Sequence, residues 1–189
     1  MKKIIFLVSG SGSNMQAVID NIKNGKLKNT KISLVISNNK NALALKKANI
    51  ENIPTRLIDA NNANVDELLK ILKAENPDLI VLAGYMRVLP EKIISSFPKK
   101  IINIHPSLIP RHAGKGYYGI KVHESVIKSK DKFSGPTVHF VDKGIDTGKI
   151  ILQEKIIVPE NATAEILQKK VLEVEHKILS KAISICLKN

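Results

Sequence analysis

Tryptophan is absent from this 189-residue chain, cysteine occurs once, and Asp plus Glu are outnumbered 17 to 30 by Lys plus Arg. With Cys186 alone, no internal disulfide can form. Its place on the apolar side of the last helical pattern makes it an ordinary buried thiol. No apolar run approaches the roughly 20 residues that a membrane-spanning helix needs. Met1, Lys2 and Lys3 lead directly into a strand-like run, so a cytoplasmic chain with no leader and no membrane partner is expected. Arginine is scarce as well, with only Arg56, Arg87 and Arg111 present. The formal net charge of +13 raises nucleic acid as a partner, but the lysines are spread along the chain and only four Phe and three Tyr are available to stack on bases. A solvated lysine coat is the simpler reading: no nucleic-acid partner is expected, and the positive field suits a small phosphorylated substrate.

The chain does contain regular alternation. Strand-like runs at 2–8, 31–37, 53–58, 78–83 and 99–104 are separated by helical patterns at 14–24, 41–49 and 64–75. Asn64 is placed to cap the third of these helices, with Glu67 three residues on. A further helix carries Val122, Val126 and Ile127 on its apolar side, and a long final helix follows Thr163. Between those two helices, 137–141 and 149–158 are extended and joined by a segment too short for a helical crossover, so they should pair antiparallel. The expected fold is α/β, a Rossmann-like, mainly parallel sheet with helices on both faces and an antiparallel extension near the C-terminal end. One domain covering 1–189 is expected, and the chain is long enough to bury a full core.

Two stretches carry chemistry. Ser9, Gly10, Ser11, Gly12, Ser13 and Asn14 lie between the first strand and first helix, where backbone N–H groups and the helix dipole suit a phosphate. Met15 stands where a dinucleotide fingerprint needs its third glycine, and no Gly-Lys-Ser/Thr step follows. Asn103 and His105 share a face at the end of an apolar strand, and Pro106 and Pro110 stop that strand and stiffen the loop after it. An amide and an imidazole so placed can hold a carbonyl oxygen and manage a proton, which suggests acyl or formyl transfer. Asp146, in the turn Gly144 to Gly148, is a candidate partner for the imidazole. A carboxylate within reach would keep the His105 imidazolium charged above its usual pKa of about 6.5. Asp146 could instead simply stabilise its turn. The other histidines, at 112, 123, 139 and 176, show no ligand spacing with His105, so no metal is expected. His139, inside a strand, is read as a satisfied core histidine or a supporting donor.

These motifs resemble those of the phosphoribosylglycinamide formyltransferases, a family of folate-dependent enzymes. The matching stretches are 9–16, 83–87, 103–110, 135–140, 145–148 and 174–176, which span nearly the whole chain. The resemblance implies transfer of a formyl group from 10-formyltetrahydrofolate, as cosubstrate, to the amine of 5'-phosphoribosylglycinamide in purine synthesis. It implies that Asn103, His105 and Asp146 are catalytic and that Gly12, Ser13 and Asn14 hold the substrate phosphate, with Glu175 at the glycinamide end. It also implies a folate pocket made by Met86, Arg87, Val88, Leu89 and Asn103 together with Asp142, Lys143, Gly144, Ile145 and Asp146. The partners would be small molecules, and the chain a monomer or homodimer. The alternatives are a formyltransferase for another amine and a noncatalytic phosphate- or nucleotide-binding domain. Two departures from the family pattern stand out: no basic residue occurs in 59–66, near the expected folate tail, and Arg111 and His112 sit in the loop expected to gate the site.

Overall fold

The structure is a computed structural model that describes residues 1–58 and 64–188. Part of the 59–66 segment singled out above, residues 59–63, lies outside the described residues.

The elements run β1 (Lys2–Val8), α1 (Ser13–Lys23), β2 (Thr30–Ser37), α2 (Leu43–Ile50), β3 (Thr55–Leu57), α3 (Val65–Glu75), β4 (Leu79–Ala83), α4 (Glu91–Ser96) and β5 (Ile101–His105). Then follow α5 (Ile120–Lys128), β6 (Phe133–Ser134), β7 (Thr137–Phe140), β8 (Ile150–Gln153), β9 (Ile156–Ile157) and α6 (Ala164–Lys188). Seven strands form one sheet in the order β3-β2-β1-β4-β5-β7-β8. The pairings from β3 across to β5 are parallel, and β5–β7 and β7–β8 are antiparallel. The α/β reading with its antiparallel extension is therefore correct.

The cores of the central strands, 4–8 of β1, 79–83 of β4 and 101–102 of β5, are continuously apolar because both faces are covered. Ile4, Phe6 and Val8 of β1 join Val81, Ile102 and Ile104 beneath α1, α2 and α6. Ile5 and Leu7 join Ile80, Leu82 and Ile101 beneath α3 and α4. Alternation of side chains along each strand divides one sequence run between two cores. The chain leaves β1 toward β2 on one side and returns to β4 on the other, which opens a crevice at their C-terminal ends. Ser9 N–H donates to Gly84 O at 3.1 Å and Met86 N–H donates to Ser9 Oγ at 2.8 Å, tying together the loops that follow β1 and β4.

Asn64 and Thr163 occupy the expected cap positions; Ile166 N–H donates to Thr163 Oγ1 at 3.3 Å, whereas the Asn64 side chain makes no cap hydrogen bond. One expectation is corrected. The stretch 149–158 is not one strand, because after β8 the chain leaves β7, and β9 pairs instead with β6 in a separate two-stranded sheet. Gly135 permits the change: its φ is 143°, and a Cβ there would lie 1.9 Å from Glu154 O. The short helix α4 gave no sequence signal, since of its six residues only Ile93 is buried.

Gly148 closes the turn that carries Asp146 onto β8, and a Cβ at this position would lie 1.8 Å from Phe140 O on β7. Gly148→Ala should therefore cost about 1–3 kcal/mol, as overpacking against fixed atoms does. Urea denaturation should show a lower midpoint at unchanged slope, and an unchanged midpoint would mean that the turn yields freely.

Candidate active site

The site starts with the parity of β5. Ile101 faces the α3 and α4 core, so Asn103 and His105 face the same side and emerge where the strand ends. The antiparallel register sets His139 opposite Asn103 and Thr137 opposite His105. Thr137, fully buried, fixes the loop after β5 by donating to Ser107 O at 2.6 Å while accepting from Ile109 N–H at 3.3 Å and from Gln153 Nε2 at 2.7 Å.

Hydrogen bonds assign the rings. His139 Nδ1 lies 2.9 Å from Phe140 O, which can only accept, so Nδ1 carries a proton and Nε2 receives one from Asn103 Nδ2 at 3.2 Å. The second amide hydrogen of Asn103 remains for a ligand. His105 Nε2 donates to His112 O at 3.0 Å, and His105 Nδ1 lies 3.5 Å from Asp146 Oδ2. Asp146 Oδ2 also accepts from Gly114 N–H at 3.0 Å, and its Oδ1 lies 3.6 Å from His139 Nε2. Asp142 braces the turn by accepting from Gly144 N–H at 3.1 Å and from Thr147 Oγ1 at 2.6 Å.

The electrostatics differ from the sequence expectation. His105 is only 5% exposed, and burial pushes its pKa below the ordinary histidine value. Asp146 and the bond to His112 oppose that shift without reversing it, and His139 adds to it. The expected imidazolium persisting above pH 6.5 is thus corrected: desolvation outweighs one carboxylate at 3.5 Å. Burial raises the Asp146 carboxyl, but His139 and His105 when they carry a proton toward it, together with the Gly114 N–H, hold it below its usual value. A further histidine, His123, stands 2% exposed, pushed down to about 4 by burial and by its proximity to His105.

Asn103, His105 and Asp146 line a cleft of about 530 Å³. Met86, Arg87, Val88, Leu89, Asp142, Gly144 and Ile145 line it too, as does the loop 114–119. Lys143 does not; its Nζ pairs with Glu91 on α4. Gly12, Ser13, Asn14 and Glu175 lie outside the cleft lining. Gly12 has φ 68° and packs so tightly on Ala44 that a Cβ would lie 2.6 Å from its Cβ, leaving the backbone at the start of α1 uncovered by any capping side chain. Asn14 Nδ2 donates to Glu175 Oε2 at 2.5 Å, joining the first helix to the last. Sequence reasoning left His139 with two bland readings and did not see that it orients Asn103. Only the strand register reveals that. The side chains of Arg111 and His112 do not face the cleft; both reach Asp131.

Two outcomes follow from these environments. Asp146→Asn removes the main influence that raises the His105 pKa, so its NMR titration should move further down; no movement would show that the carboxylate does not act on the ring. Glu175 is 8% exposed, and burial pushes its carboxyl up to about 7 against the donor Asn14. A raised folded-state pKa means stability that is complete below the unfolded value and lost as pH rises through the folded one, here from about 4.5 to 7. Glu175→Gln should abolish on the order of 3 kcal/mol of that decline. Melting temperatures at pH 5 and pH 8 measure it, and a variant that declines as the parent does would refute the assignment.

Comparison with known proteins gives a consistent picture. The formyl transferase family matches residues 2–183. A chloroplastic phosphoribosylglycinamide formyltransferase of Arabidopsis thaliana is 37% identical over 98% of this chain, and that of Haemophilus influenzae is 39% identical over 94% of this chain and 84% of its own length. The chain spans 65% and 58% of the length of the Arabidopsis and Vigna unguiculata relatives. The crystal structure of glycinamide ribonucleotide transformylase 1 from Symbiobacterium toebii superposes with a TM-score of 0.91 at 35% identity, covering 100% of this chain and 88% of that one.

Proposed function

Because this chain belongs to the formyl transferase family, we propose that it moves a formyl group from 10-formyltetrahydrofolate to the amine of 5'-phosphoribosylglycinamide. The products would be formylglycinamide ribonucleotide and tetrahydrofolate. The observation that carries this reading is the convergence of Asn103, His105 and Asp146 at one cleft, each with its orientation fixed by a named partner.

The glycinamide amine titrates near an α-amino group, about 7.7–8.0, so the free base is available near neutral pH. As its nitrogen bonds to the formyl carbon, the carbonyl oxygen becomes an oxyanion, which the remaining amide hydrogen of Asn103 meets as a donor. His105, held neutral by burial, presents its Nδ1 lone pair and can take the proton that the amine sheds. Asp146 then stabilises the imidazolium beside it. The same proton passes to the folate nitrogen as the old carbon–nitrogen bond breaks, so one bond forms, one breaks and one proton moves between the two nitrogens.

For binding, the start of α1 at Gly12, Ser13 and Asn14 suits the substrate phosphate, because its N–H groups lack capping side chains and carry the positive end of the helix dipole. Glu175, touching Asn14, would serve the same substrate. Met86, Arg87, Val88, Leu89 and the turn carrying Asp142, Lys143, Gly144, Ile145 and Asp146 would hold the folate, with Lys143 acting from outside the lining. Small molecules are thus the proposed partners, within one domain. Among the described residues no helix is long and apolar enough to cross a membrane.

His105→Ala should lower turnover by about 10²–10⁴ at saturating substrates with an unchanged circular dichroism spectrum. Release of tetrahydrofolate with glycinamide ribonucleotide, compared against other amines, tests the whole reading. A parent protein that binds phosphates yet releases no tetrahydrofolate would overturn it, as would an alanine variant of undiminished turnover.

A further inference from the structure

The support of His105 extends outside the cleft. His112 has a φ of 52°, a left-handed conformation costing a residue with a Cβ roughly 1–2 kcal/mol. Such strain persists only where the surroundings over-determine it. Both ring nitrogens of His112 are held: Nε2 lies 2.9 Å from Asp131 Oδ2, and Nδ1 lies 2.8 Å from Ser125 Oγ. Asp131 Oδ1 accepts from Arg111 Nη2 at 2.7 Å, and the Arg111 carbonyl accepts from Ser107 Oγ at 2.7 Å. The peptide is therefore gripped from the turn after α5, from α5 itself and from the loop after β5. The His112 carbonyl points at the active site, where it accepts from His105 Nε2.

That contact has a chemical consequence. A carbonyl oxygen has no proton to give, so the neutral His105 ring carries its hydrogen on Nε2 and its lone pair on Nδ1, the nitrogen facing Asp146. Were His112 to relax to an ordinary φ, its carbonyl would turn, and the acidic neighbour would favour a proton on Nδ1 instead. The ring would then have no base to offer there. Asp131 does not line the cleft, and its ion pair with Arg111, whose side chain is 66% exposed, contributes little by itself. Its consequential contact is with His112, whose side chain is 9% exposed.

We propose that Asp131 is a positioning residue: by fixing the strained His112 peptide it sets which nitrogen of His105 carries the proton. This rests on the reading of His105 as the group that handles the proton in formyl transfer.

The test is Asp131→Ala beside Asp131→Asn, followed by ring ¹⁵N NMR of His105 and by steady-state kinetics. The parent should show the Nε2–H tautomer of neutral His105. Asp131→Ala should show a mixture of tautomers and a kcat lowered about 10- to 100-fold, as a small misplacement of a reacting group does, with KM for both substrates within about two-fold. Asp131→Asn, which still offers an oxygen to His112, should recover most of the kcat and the parental tautomer. Parental tautomer in Asp131→Ala would overturn the proposal, and so would a kcat loss accompanied by an equal rise in KM or shared undiminished by Asp131→Asn. If the parent releases no tetrahydrofolate, the formyl-transfer reading fails, while the tautomer measurement still decides whether Asp131 positions the ring.

Discussion

The reversal of direction between β5 and β7 is the constraint on which the site depends. A parallel neighbour would need a crossover connection and would deliver its following loop to the same end as β5. An antiparallel neighbour starts at that end instead, so Thr137 braces the loop after His105 while His139 reaches Asn103. The turn after β7 then folds back, with Gly148 packed against the Phe140 carbonyl, and brings Asp146 to His105 and Gly114. One pairing register thus determines the orientation of an amide, the environment of an imidazole and the position of a carboxylate.

The distribution of acids follows a related logic. The chain carries few of them against 30 basic residues, yet three acidic side chains sit at points where a lysine could not substitute. Asp146 lies beside two histidines, Asp131 anchors a strained peptide, and Glu175 closes a buried contact between the first and last helices. Each is removed from water and compensated differently. Asp146 has donors and stays readily ionised, whereas Glu175 has a single amide and holds its proton more tightly. The lysine coat leaves these local balances intact because its charges are solvated and screened over about 10 Å.

Burial and hydrogen bonding pull His105 in opposite directions. Both of its nitrogens face acceptors, which favours the charged ring, while its enclosure favours the neutral one. A ring held between these two influences suits the proton transfer proposed for it. An exposed imidazole beside the same carboxylate would hold its proton more firmly and offer less free base.

The sequence by itself determined the main elements and their layering, though not α4, β6 or β9. The apolar runs at β1, β4 and β5 require cover on both faces, and the amphipathic patterns of α1, α3 and α6 supply it, because periodicity is a local property of the chain. It also determined that Asn103 and His105 point the same way, since strand parity leaves no choice. The turn 144–148 offered Asp146 as a candidate partner for the imidazole, and the family resemblance supplied its catalytic role and the loops around the cleft. What tertiary structure alone decided are the quantities that depend on pairs distant in sequence. These include the register that places His139 on Asn103, the departure of β9 from β7 to β6, the burial that lowers rather than raises the His105 pKa, and the grip of Asp131 on His112. None of these has a local signature, because a register, a desolvation and a left-handed peptide are each set by atoms that the chain brings together only when it is folded.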